Sequence, residues 1–418
     1  MLIINFIALL LVAGGAVFPS AQAEPQHIVD HVDLMVIDPQ LRLPDLVMQT
    51  VEKYPDYALI AAMHQESVAL QERGSRWISG APQLQTYYKG DFSGTNLGAY
   101  EFDGSIQVPV WNWGQRDAGL QLATQARQGV GNTVNAIKLK VAGLVREALW
   151  AQKLALARFQ MKKKEFTYAQ KLARTVQRRV EVGDLPKADY YLAESELLDK
   201  KEALINTEAA LMHARKRYYF LTLSHKVPEQ FNEEKSKENT INEAHPSLLA
   251  INSIIARKKA QVEWLKAQGS GQTTVAVGGV SERGSRTDNI VNSIAFNVNI
   301  PFGGHAYIAP MVAAANREYI AATANKEHIY RNLLEELHEA EHELEVDTAQ
   351  LDIAKQMQEN AKKLLKIAQV SFAAGEIELM DYLRIQARAQ SAIENAQESS
   401  VRFQRDIAFY NQAVGVMP

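Results

Sequence analysis

The chain has 418 residues, of which 22% are charged, and its 45 Lys and Arg against 48 Asp and Glu leave a formal net charge of −3. That balance argues against nucleic acid as the main partner. The sequence holds no cysteine, which rules out disulfides and a lipid-modified cysteine.

Residues 1–23, MLIINFIALLLVAGGAVFPSAQA, form an apolar run closed by small residues, and Ala21-Gln22-Ala23 fits the cleavage rule of a secretory signal. Gly14-Gly15 and Pro19 interrupt the run, so a cleaved signal after Ala23 is expected rather than a spanning helix, although no Lys or Arg precedes the apolar core. No later stretch is apolar enough to cross a bilayer as a helix. Any membrane span must then be made of strands.

Residues 24–40 read as irregular, and Leu41 to Arg73 as helix broken at Pro55. Ser79 to Gly104 is rich in Gly, Ser, Pro and Tyr and suits a strand, an exposed loop and the start of a second strand. In that second strand Tyr100, Phe102, Ile106, Val108 and Val110 alternate with Glu101, Asp103, Ser105 and Gln107. A period of two is one that helices cannot produce. From Gln115 to Val182 there is no proline, and helix-forming residues dominate, giving one helix of ~68 residues or ~100 Å. Gly183-Asp184-Leu185-Pro186 punctuates it, and Lys187 to Leu221 returns as a second helix. Ser224 to Glu243 is polar, a loop or short helix.

The second half replays the first. His245-Pro246 opens a helix to Lys266, and Gly271 to Phe302 gives two strands around the loop SERGSRTDN. In the second of these Ile294, Phe296, Val298, Ile300 and Phe302 alternate with Ala295, Asn297 and Asn299. A long helix then runs to Ala373, and beyond Gly375-Glu376-Ile377 a return helix runs from Leu379 to about Val414. Landmarks in strand, turn and helix keep one spacing of 192 positions: 301 − 109 for Pro109 and Pro301, 375 − 183 for the turn glycines, and 381 − 189 for Asp189 and Asp381. Such register across element types marks an internal duplication. The implied division is residues 1–23 signal, 24–223 first strand–helix repeat, 224–244 linker and 245–418 second repeat.

Each repeat thus supplies two strands long enough to cross an outer membrane when tilted. Four strands cannot close a barrel, and open edges are not tolerated in lipid, so chains must associate to close the sheet. Three chains give twelve strands and an open lumen, and this argument alone does not exclude two chains. The long helices also need neighbours along their whole length. Ala118, Ala123, Ala126, Ala313, Ala315 and Ala322 suit close side-by-side packing.

With the strand exits VPVWNWGQR and IPFGGH and the helical tips VGDLPKAD and AAGEIELMD, the chain resembles a TolC-type outer-membrane efflux protein over essentially its whole mature length. Its short chain is also similar to the outer-membrane components of cobalt-zinc-cadmium resistance pumps. The resemblance implies a mostly α fold with a membrane β-barrel contribution: a homotrimer whose twelve-stranded barrel continues into an α-helical periplasmic tunnel. It implies location in the outer membrane of a Gram-negative bacterium and contact with its lipid. It also implies docking to a periplasmic adaptor and an inner-membrane pump, with no cofactor and no covalent chemistry. Under it Val182, Gly183, Asp184 and Leu185, with Ala374, Gly375, Glu376 and Ile377, become the adaptor-docking tips, although both glycines equally suit a left-handed helix end. Asp189 and Asp381 match aspartates that ring the periplasmic entrance. The family pattern has Arg at the position of Ile377 and a further Asp at that of Arg384, so its salt-bridged lock is not expected here. Asp381 with Arg384, or with Arg178 and Arg179, are the substitute pairings. Phe102, Ile106, Val108, Ile294, Phe296, Val298 and Ile300 become the lipid-facing set.

Two features compete with that reading. His338-Glu339-Ala340-Glu341-His342 matches the H-E-x-x-H zinc motif, with both imidazoles on one helix face. Its surroundings, ELHEAEHELE, are charged on nearly every side, where a catalytic zinc needs a dry, supported pocket. A zinc hydrolase is therefore the enzyme alternative, and an exported coiled-coil spacer the structural one. Trp111 and Trp113, at the first strand exit, suit either an interfacial girdle or packing at the corner.

Overall fold

The computed structural model describes residues 34–418, and the expected signal sequence lies outside them. Period-two alternation becomes a four-stranded antiparallel sheet of β2 (Gln83–Gly90), β3 (Tyr100–Pro109), β5 (Thr274–Arg283) and β6 (Val291–Asn299), in the order β2-β3-β5-β6. The small β1 (Val36–Asp38) and β4 (Lys226–Pro228) form a second sheet, parallel and two-stranded.

Register sorts the larger sheet's side chains by face. Leu84, Ile106, Val277 and Phe296 line up across all four strands, and Val108, Val275 and Val298 form the next apolar row. One residue over, Gln83, Gln107, Ala276 and Asn297 form a row on the opposite face. The apolar face is uncovered in the single chain: Ile106, Ile294, Phe296 and Val298 are all exposed. Among the described residues the outer edges of β2 and β6 have no strand beside them.

Each strand pair runs into a long hairpin. After β3 come α3 (Gln115–Glu181) and α4 (Lys187–Thr222), and after β6 come α6 (His305–Ala374) and α7 (Leu379–Ala413). The shorter α1 (Leu43–Lys53), α2 (Tyr57–Ser75) and α5 (Pro246–Ala267) complete the described helices. Pro55 falls in the break between α1 and α2, as its missing N–H requires. Gly303 takes φ +69° where β6 gives way to α6, a turn an L side chain resists. Among the described residues no helix is long and apolar enough to cross a membrane.

The hairpins hold together through heptad seams. Buried α6 positions step by four and three through Leu333, Leu337, Ala340, Leu344, Asp347, Leu351 and Ala354. That 3.5-residue period keeps one stripe against α7, as in a coiled coil. Ala123, Ala126 and Ala315 are buried, whereas Ala313 and Ala314 stay exposed in the single chain.

The linker is mostly the loop alternative, and the departure from expectation is in two short strands. Residues 229–243 contain no helix, and the stretch around residues 36–38 is strand rather than irregular. Three-residue strands are too short to leave a periodic signature, and tertiary contacts set them. Val36 N–H donates to the His225 carbonyl at 2.8 Å, and the Tyr218 hydroxyl donates to the Lys226 carbonyl at 2.5 Å. Beneath this belt α1 buries Leu46, Val47 and Val51 against Val141, Val145 and Leu149 of α3, with Phe231 edge-on to Trp150 at 4.9 Å. Each such aliphatic side chain contributes about 1.5–3 kcal/mol.

Candidate functional site: hairpin tips and sheet face

Both hairpins turn through the same motif. Gly183 (φ +80°) donates to the Val180 carbonyl at 3.0 Å and Asp184 to the Arg179 carbonyl at 2.8 Å. At the second tip Gly375 (φ +78°) donates to Phe372 at 3.2 Å and Glu376 to Ser371 at 2.8 Å. This is the Schellman arrangement, which satisfies the orphan carbonyls at a helix end and needs a left-handed residue. Nothing lies within 4 Å of a Cβ added at either glycine. Substitution there tests conformation alone: Gly183→Ala or Gly375→Ala should cost about 1 kcal/mol through the left-handed backbone. The Asn variants should cost less. Hydrogen exchange of the last helical turn checks both, and equal protection in the Ala variants would contradict the assignment.

Behind the turns the two hairpins share one apolar plug. Val176, Ala193, Ala368, Phe372, Leu379 and Tyr382 are buried together, with Leu185 and Ile377 packed against them. The Phe372 and Tyr382 rings stack at 5.0 Å, and burial pushes the Tyr382 phenol up, keeping it neutral. Val182 and Met380 remain exposed.

The charges at the tip pair locally. Asp381 reaches Arg384 at 4.0 Å with both side chains exposed, a contact worth little. Arg179 does not go to Asp381. Its Nε meets Asp184 at 2.5 Å and its Nη1 donates to the Phe372 carbonyl at 3.4 Å, so it joins the two hairpins. This residue was among the substitute partners for Asp381, but its bond to Asp184 depends on the turn folding Asp184 back along α3. Asp189 sits in the first turn of α4, where its N–H donates to the Pro186 carbonyl at 3.1 Å.

At the other end of the hairpins the two tryptophans part ways. Trp111 packs edge-on to Trp264 at 6.2 Å and donates its indole N–H to the Arg76 carbonyl at 3.0 Å, so it builds the corner. Trp113 is fully exposed, and Phe302 and Tyr307 at the strand exit of the second repeat are exposed too. His338, Glu339 and His342 lie on the exposed face of α6 while Leu337, Ala340 and Leu344 take the buried face. Among the described residues no group of three His, Cys, Asp or Glu side chains is placed to hold a metal ion.

Residues 56–222 match the family model described as outer membrane efflux protein. The fold is similar to that of the Campylobacter jejuni CmeC outer membrane channel, at TM-score 0.69 and 15% identity over 89% of this chain and 85% of that one. It is also similar to the outer membrane protein VceC from Vibrio cholerae, at 0.72 and 13% over 90% and 96%. The open-state MtrE outer membrane channel of Neisseria gonorrhoeae matches at 0.67 and 14% over 92% of each chain. No curated protein matches the sequence. Residues 56–222 thus carry an outer membrane efflux protein domain, and the chain shares the fold of these outer-membrane channels along nine-tenths of its length.

Proposed function

We propose that this protein is the exit duct of a tripartite efflux or type I secretion system, conducting substrates passively from a periplasmic adaptor and an RND- or ABC-type inner-membrane pump to the exterior. The observation that carries the reading is the four-stranded sheet, whose apolar face is bare and whose β2 and β6 edges are unpaired. An unpaired edge is not tolerated in lipid and a bare apolar face is not stable in water; edge-to-edge closure with further copies pairs the edges, and lipid covers the face.

In this reading three chains close a twelve-stranded barrel. Phe102, Ile106, Val108, Ile294, Phe296, Val298 and Ile300 face lipid, and Trp113 anchors the periplasmic rim. The division into a first repeat (24–223), a linker (224–244) and a second repeat (245–418) belongs to the same proposal. Asp189, Asp381 and Arg384 form the periplasmic entrance. The loose Asp381–Arg384 contact supports an entrance whose acidic ring is partly offset by its own arginines. The turns at Val182–Leu185 and Ala374–Ile377, with their exposed backbone and Val182 side chain, are the surface offered to the adaptor.

The chain's lack of cysteine makes a direct test clean. Gln85 and Ala295 lie in one row on the face opposite Phe296, three strand spacings apart within a chain. That is about 14 Å, too far for an internal disulfide. Gln85→Cys combined with Ala295→Cys, or with Ser293→Cys or Asn297→Cys to cover the register, should give linked dimers and trimers on oxidation in membranes. The ladder should end at trimer, and the linked species should conduct in planar bilayers. Monomer only in all three pairs, or a ladder ending at dimer, would overturn the proposal.

A further inference from the structure

The α6/α7 seam carries one charged residue in its apolar heptad run, Asp347, between Leu344 and Leu351. Against it from α7 comes Asp406, only 1% exposed. The Asp406 carboxylate is half satisfied. Its Oδ1 accepts from Arg405 Nε at 2.8 Å and lies 2.7 Å from Arg405 Nη2. Its Oδ2 is sealed from water and, among the described residues, receives no hydrogen bond from any N–H or O–H group. The group beside it is the Asp347 carboxyl, itself an acceptor. On the far side Arg402 Nε stands 3.6 Å from Asp347 Oδ2 and is also buried without a hydrogen bond.

Two carboxylates in contact in a dry seam cannot both be ionised cheaply, and a proton between them satisfies the stranded oxygen. We propose that Asp406 holds a proton against the Asp347 carboxylate and that the contact forms a pH-sensitive latch on the α6/α7 hairpin, closed while the proton is held and loosened when it is lost. Burial first, and then the bond to Asp347, push the Asp406 carboxyl up to about 7, against the pull of Arg405.

The surrounding charges confine the response. From α6, Glu343 lies 4.0 Å from Arg405. Within α7, Glu398 lies 3.9 Å from Arg402 and is itself held by Arg158 of α3 at 2.7 Å. Arg146 of α3 is taken up by Glu233 of the linker, with Gln412 and the Val416 carbonyl. None of these supplies Asp406 Oδ2 with a donor. Arg402 and Arg405 remain beside the pair when both carboxylates are ionised, so the expected effect is a local opening of the seam.

The sign follows from linkage. An acid whose folded pKa lies above its unfolded value binds its proton more tightly when folded. The stabilisation is full below about pH 4, the ordinary carboxyl range, declines as pH rises, and is gone above the folded value of about 7. Hydrogen exchange of the purified full-length protein tests this. After correction for the intrinsic rate, peptides covering residues 344–351 and 403–410 should lose roughly tenfold or more of their protection between pH 6 and pH 8.5. Asp406→Asn and Asp347→Asn each keep the shape and supply an N–H donor, so protection should become pH-independent. Asp381→Asn, at the exposed tip, should leave the wild-type dependence intact. Flat wild-type protection, persistence of the dependence in both Asn variants, or its loss in Asp381→Asn would each overturn the latch.

Discussion

Replacing Arg146 with leucine should destabilise the protein by about 3–5 kcal/mol, the usual cost of removing one partner from a buried ion pair. Arg146 is 0% exposed and spends every arm of its guanidinium. Nε and Nη2 clamp the Glu233 carboxylate at 2.8 and 2.6 Å, Nη1 donates to Gln412 at 2.6 Å, and Nη2 also donates to the Val416 carbonyl at 3.1 Å. One side chain therefore pins the linker and the end of α7 onto α3. Its loss leaves Glu233, which is nearly buried, with a charge and no counter-charge. Arg158 gives the contrast. It makes the same two-pronged bond to Glu398, at 2.8 and 2.7 Å, but is 46% exposed. Water screens that pair, so Arg158→Leu should cost about 1 kcal/mol or less. Thermal denaturation of the two variants side by side is the measurement, with proteolysis in residues 229–243 as the local readout. Adding Glu233→Leu to Arg146→Leu should recover part of the loss by removing the stranded charge. A loss under 1 kcal/mol in Arg146→Leu would mean that the belt is held by its apolar contacts alone.

The same residues show where sequence reading succeeds and where it stops. The strands are legible because every second side chain from Tyr100 to Val110 and from Ile294 to Phe302 obeys one rule, and each repeat checks the other at a spacing of 192. The tips are legible because a left-handed turn demands glycine. The Arg146 clamp is not, since its partners lie 87, 266 and 270 positions away and nothing local announces them. A signal was nevertheless present. Arg146 stands in the apolar stripe of Ala142, Val145 and Leu149, and Asp347 in the heptad run from Leu333 to Ala354. A charge on a buried stripe asks for a partner. At the tip Asp381 takes Arg384, one of its expected pairings, and only the Arg179 bond is illegible: Arg179 and Asp184 are five apart, a distance a straight helix would not join, and the Schellman turn brings them together.

Introducing arginine at Phe296 should sharply reduce assembled protein in the outer membrane, while arginine at Asn297 should be tolerated. The two positions are adjacent, both lie within β6, and both are exposed in the single chain. Packing inside one protomer therefore gives no reason for them to differ. What separates them is the face: Phe296 lies in the row of Leu84, Ile106 and Val277, Asn297 in the row of Gln83, Gln107 and Ala276. If the apolar row meets lipid, an arginine there costs about 2–4 kcal/mol near the bilayer midplane. Three copies in one barrel multiply the penalty, enough to block insertion rather than weaken it. If the Asn row lines a water-filled lumen, arginine at position 297 stays solvated, and three of them lower the preference for cations in single-channel recordings. Membrane fractionation with unheated gel electrophoresis reads assembly, and bilayer recordings at unequal salt read selectivity. Equal tolerance at both positions would mean that neither face meets lipid, and closure of the sheet into a barrel would lose its physical motive.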